Sequence, residues 1–143
     1  MWIENIAAAD LAKGQHHDCG KNSMLIQILD GDFKPEPQHQ FRERHQFVFL
    51  DLENGDNKVE ELGITDSQAQ QLVALLQHAL DERMNVIVHC TAGICRSGAV
   101  VEVGVMMGFN DPEKFRCPNL RVKHKMMKVL GWCYDADEKQ VFL

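Results

Sequence analysis

No apolar run in this chain of 143 residues reaches the ~18 residues that a membrane-spanning helix requires. The sequence therefore predicts no membrane partner. Its opening, MWIENIAAAD, has no basic residues and carries Glu4; that makes a poor secretory signal and predicts a cytoplasmic protein. Glycine and proline are sparse, at 10 and 4 residues, which excludes collagen-like chains and argues against disorder. Excess positive charge is also missing: 15 basic against 21 acidic residues leave a net charge of −6, so broad nucleic-acid binding is not expected. No pair of the cysteines Cys19, Cys90, Cys95, Cys117 and Cys133 has CxxC spacing, and free thiols are expected rather than a disulfide framework. His16-His17-Asp18-Cys19 has no second ligand cluster, so it reads as a polar loop and no metal or cofactor is expected.

There are no internal repeats and no low-complexity tract, and the length lies near the ~100–150 residues of one ordinary domain. Residues 1–143 are expected to form a single domain. Ser23–Leu29 reads as a strand, followed by the turn-like Asp30-Gly31-Asp32 and by a Lys34–Pro37 segment whose prolines exclude regular structure. Phe47-Val48-Phe49-Leu50 reads as a short strand buried on both faces. Thr65 and Gln68 have capping-box spacing, and Ala69, Leu72, Val73, Leu76 and Leu80 follow at helical spacing, predicting a helix over 65–82. Asn85–His89 is the next apolar strand. Residues 98–107 are apolar all round, as in a buried helix. Val122, Met126, Val129, Leu130 and Cys133 mark one more amphipathic helix. Its basic residues Arg121, Lys123, Lys125 and Lys128, with His124, are expected on a solvated face. Strands alternating with helices imply an α/β fold with a mostly parallel central sheet flanked by helices.

The chemistry lies between a strand and a helix, in Cys90-Thr91-Ala92-Gly93-Ile94-Cys95-Arg96-Ser97. Ligands of parallel sheets bind at the carboxyl ends of strands. The unpaired N–H groups that begin a helix attract anions there. A loop of small residues folds its amides around a group of phosphate size, with Gly93 permitting unusual backbone angles. Arg96 adds a planar fork of donors. A thiol facing an arginine and a helix N-terminus readily becomes the nucleophilic thiolate. Ser97 is placed to stabilise that thiolate as it departs, and His89 to brace the loop backbone.

The run H89-C90-TAGIC-R96-S97 resembles the His-Cys-x5-Arg-Ser signature of the cysteine-dependent protein tyrosine phosphatase superfamily. The fuller VIVHCTAGICRSGAV is most similar to its compact dual-specificity branch, including small bacterial and phage phosphatase-like proteins, and the likeness extends over roughly residues 45–110. The resemblance implies a protein tyrosine phosphatase-like fold and a phosphomonoester hydrolase that works without a metal. In that mechanism Cys90 forms a phosphocysteine, while Arg96 and the amides of residues 91–95 bind phosphate. It also implies an aspartate general acid on a separate loop. Both Asp51 and Asp56 stand farther upstream of Cys90 than that acid usually does. Asp51 is preferred, because strand ends are held more rigidly than loop middles. The implied partner is a phosphorylated protein or another phosphomonoester. Cys90 and Cys95 also share the Cys-x4-Cys-Arg-Ser pattern of the low-molecular-weight tyrosine phosphatases, in which two such thiols form a protective disulfide. Two other readings stay open: a phosphate-recognising adaptor without turnover, and a rhodanese-like sulfurtransferase, although rhodanese loops are commonly one residue shorter.

Overall fold

The unalternating apolar runs become the two inner strands of a four-stranded sheet. In the computed structural model, which describes residues 1–31, 33–52 and 62–132, β1 spans Ile3–Ala7, β2 Ser23–Leu29, β3 Glu43–Val48 and β4 Asn85–Cys90. Their spatial order is β1-β4-β2-β3, with every pairing parallel. A strand with neighbours on both sides and layers on both faces has no face to show to water, and all seven residues of β2 are buried. Helices α1 (Ala8–Lys13), α2 (Asp66–Asp81), α3 (Arg96–Met107) and α4 (Leu120–Val129) complete the domain. It is a single α/β domain. No helix among the described residues is long and apolar enough to cross a membrane.

Strand alternation divides the interior into two cores. Met24, Ile26 and Ile28 of β2 and Val86, Val88 and Cys90 of β4 enter the larger one, with residues of α2, α3 and α4. Leu25 and Ile87 face the other way, joining Ile6, Leu11, Cys19 and Phe41. Helix α3 is buried along most of its length, which explains its lack of a polar face. Gly104 lets Ile3 press against it: a Cβ there would lie 2.8 Å from the Ile3 Cδ1.

The expected strand at Phe47–Leu50 needs correction. Strand β3 runs from Glu43 to Val48 and is an edge strand with alternating exposure, not one buried on both faces. Phe47 points into the core and Val48 is 56% exposed, while Glu43 on the Phe47 side accepts from His45 and from His78 of α2. Phe49 is buried beyond the end of the strand, where its N–H still reaches the Leu29 carbonyl. Sequence patterning also passes over β1, whose apolar positions are interrupted by Glu4 and Asn5, and the six-residue α1. The last helix ends at Val129; Cys133 lies outside the described residues. Its basic residues are largely engaged within the domain. Arg121 is buried and donates to the Ile64 carbonyl, and Lys123 and Lys125 pair with Glu102 and Asp66 at 2.8 and 2.7 Å.

Helix α2 begins as its sequence predicts. The Gln68 N–H donates to Thr65 Oγ1 at 3.1 Å and the Thr65 N–H to Gln68 Oε1 at 2.9 Å, so both halves of the capping box form. Gln68 Nε2 also reaches the Val48 carbonyl, fastening the helix start to the end of β3. Thr65→Ala is expected to lower unfolding stability by about 1 kcal/mol in urea titrations, and an unchanged midpoint would show that the cap is dispensable.

Candidate active site

Strand β4 ends at Cys90 and α3 begins at Arg96, so Thr91–Cys95 form the tight connection expected of an anion-binding loop. The loop is pulled against β1. Asn5 Nδ2 donates to the Gly93 carbonyl at 2.7 Å, and the Ala8 N–H donates to the Thr91 carbonyl at 3.3 Å. Gly93 has φ +74°, and a Cβ on it would stand 2.2 Å from the Ile6 carbonyl carbon. Only glycine fits there.

The loop is polarised. The carbonyls of Thr91, Gly93, Ile94 and Cys95 all accept hydrogen bonds from outside it, those of Ile94 and Cys95 from the N–H groups of Cys117 and Asn119. By contrast, the N–H groups of Ala92, Gly93 and Ile94 donate to nothing among the described residues. Backbone donors are normally satisfied, so a row left over beside a helix N-terminus is a place for an anion.

The side chains converge on the same point. Cys90 is buried, and its Sγ lies 3.1 Å from Ser97 Oγ, with the Ser97 N–H also directed at it at 3.5 Å. The Ser97 N–H is thus aimed at the sulfur, and the Ser97 hydroxyl is in hydrogen-bonding reach of it. Cys90 is a free thiol, so it forms no disulfide with Cys95 in this structure. Arg96 is buried; Nη1 donates to the Phe49 carbonyl at 2.9 Å and Nη2 contacts Thr91 Oγ1 at 3.3 Å. Its Nε meets no acceptor among the described residues.

Two residues that sequence reasoning passes over are part of this arrangement. Asp30, just past β2, accepts from both Thr91 Oγ1 and Arg96 Nη1. The Arg96 guanidinium holds the Asp30 carboxyl below the usual carboxylate range. Asn119 is fully buried; its Nδ2 donates to Asp51 Oδ1 at 2.6 Å and to the Leu52 carbonyl at 3.0 Å, while its Oδ1 caps α4 by accepting from the Val122 N–H. One side chain thus ties the Asp51 segment to α4, and its backbone N–H holds the loop at Cys95. Asp51 accepts from Asn119 and makes no hydrogen bond to the loop among the described residues, and Asp56 lies outside the described residues. An Asn before an amphipathic helix is a readable N-cap signal; its grip on Asp51 is not.

No protein-family model matches the chain, and no curated protein does. The assignment of the site therefore rests on geometry. A separate cleft is lined by Trp2, Glu4, His17, Asp18 and Pro112. It holds no nucleophile, and its buried Glu4 is already paired with His17 and Lys114. Among the described residues, no three His, Cys, Asp or Glu side chains gather into a group that would hold a metal ion. Arg42 and Arg44, which precede the end of β3, pair with Glu82 and Glu36 at the surface.

His89 does not brace the loop through its ring in the expected way. Neither ring nitrogen makes a hydrogen bond of ordinary geometry among the described residues, and burial pushes its pKa from 6.5 down to about 4. Between those values the unfolded chain holds a proton that the folded protein does not, so the native state loses stability as pH falls through that window and keeps it in full above. His89→Gln should therefore lose less stability than the wild type between about pH 7 and about pH 4.5, as read by urea denaturation at both values. Equal losses would assign the acid sensitivity to other groups.

Proposed function

We propose that this protein is a cysteine-dependent phosphomonoester hydrolase, a protein tyrosine or dual-specificity phosphatase acting through a phosphocysteine on Cys90. The observation that carries the reading is the polarised loop: unpaired amides at Ala92, Gly93 and Ile94 beside a buried arginine and a buried thiol whose sulfur is contacted by the N–H and the hydroxyl of Ser97. That combination suits a tetrahedral anion placed for attack by sulfur.

The reaction has two steps. Cys90 attacks phosphorus as the thiolate, forming a sulfur–phosphorus bond as the ester P–O bond breaks. Asp51 gives its proton to the departing oxygen. Water then attacks the phosphocysteine and passes a proton to the Asp51 carboxylate, and the sulfur–phosphorus bond breaks to release phosphate. Arg96 and the loop amides of residues 91–95 neutralise the equatorial oxygens throughout. Ser97 stabilises the returning thiolate. The substrate is a phosphorylated protein or a related phosphomonoester.

Hydrolysis of p-nitrophenyl phosphate, with reductant and a chelator present, tests the proposal. Cys90→Ser should abolish turnover. Asp51→Asn should lower kcat by about 10²–10⁴-fold and remove the fall in rate at high pH, since only a protonated acid serves the first step. If Asp56→Asn has that effect instead, the acid is Asp56. Turnover that survives Cys90→Ser would overturn the mechanism. Phosphate binding without turnover would make the protein a phosphate-recognising adaptor, and persulfide formed from thiosulfate a sulfurtransferase.

A further inference from the structure

Asp30 occupies the donors that a phosphate would need. It directly follows Leu29, the last residue of β2, and β2 lies beside β4 in the sheet, so the ends of the two strands bring Asp30 to the mouth of the loop. One carboxylate oxygen accepts from Thr91 Oγ1 and the other from Arg96 Nη1, much as two phosphate oxygens would.

The pair is unequal. The Arg96 side chain is 6% exposed and that of Asp30 49%, and Arg96 is further pinned by the Phe49 carbonyl. The arginine cannot follow a departing partner, whereas the carboxylate has water beside it to turn into. A carboxylate is also an incomplete ligand. It is planar and engages Thr91 and Arg96, while the N–H groups of Ala92, Gly93 and Ile94 remain without acceptors. A tetrahedral oxyanion has oxygens for both sets of donors.

We propose that Asp30 is a specificity-determining residue of this site: its carboxylate is a built-in competitor that phosphoryl groups displace and simpler anions do not. An acetate or a chloride offers Arg96 nothing that Asp30 does not already supply, and it must also break the existing ion pair. A phosphoryl group gains the loop amides in exchange. The device lets a phosphate site work among the abundant small anions of a cell without being filled by them. It rests on the phosphate-binding reading of the loop given above.

The test is calorimetric titration of inorganic phosphate and of acetate into wild type, Asp30→Asn and Asp30→Ala, with folding of each checked by thermal unfolding. Removing the competitor should tighten phosphate binding by about tenfold, the loss of one charge-assisted hydrogen-bonded pair, and should make acetate binding measurable. In the wild type, the carboxyl carbon resonance of Asp30 should shift on adding phosphate and stay put on adding acetate, a reading independent of the variants. Phosphate affinities equal in all three proteins, with acetate excluded from all, would overturn the role of Asp30 and leave the phosphate site standing. Phosphate that binds none of them would overturn the phosphate site itself.

Discussion

The close approach of Gly93 to the end of β1 sets the shape of everything around it. With the Gly93 Cα side pressed on the Ile6 carbonyl group and its own carbonyl held by Asn5, the loop has one way to lie. Its carbonyls face the protein, where Ala8, Cys117 and Asn119 satisfy them. The amides are what remains for a ligand. A side chain at residue 93 would lift the loop from β1 and unmake that division, which is why a glycine with positive φ stands at the centre of a site whose chemistry is carried by its neighbours.

Burying Arg96 is the second constraint. A guanidinium removed from water costs several kcal/mol unless its donors are met, and here Nη1 and Nη2 are met by parts of the chain far apart in sequence. The Phe49 carbonyl comes from the segment after β3, Asp30 from the end of β2 and Thr91 from the loop itself. The same residue that prepares the site for an anion therefore also fastens three sheet-end segments together. Asn119 does comparable work with neutral groups, joining the Asp51 segment, the loop and α4.

Local signals were legible and distant ones were not. The capping box at Thr65 and Gln68 specifies its own geometry within four residues, and the structure reproduces it. The runs at Ser23–Leu29 and Asn85–His89 announce strands, and the structure makes both of them the inner strands of the sheet. Cys90 and Ser97 are seven positions apart and meet across one tight loop, so their partnership is visible in the motif. Phe47–Leu50 misled because a short apolar run does not say which side of a sheet it will join; the polar Glu43–Gln46 half of the edge strand carries no such run. Asp30 lies 61 residues from Thr91, and its local sequence marks only a turn. Its place follows from the order β1-β4-β2-β3, which puts the end of β2 beside the end of β4, and composition or periodicity does not encode that order directly.

The central claim is that Cys90 becomes covalently phosphorylated within this loop. The most direct measurement is rapid acid quenching of the protein during turnover of an aryl phosphate carrying labelled phosphorus, followed by peptide mapping of the label. The account predicts labelled phosphate on Cys90 as a thiophosphate ester, absent from Cys90→Ser. Label on a different residue, or hydrolysis that proceeds while no label is ever captured on the protein, would contradict it.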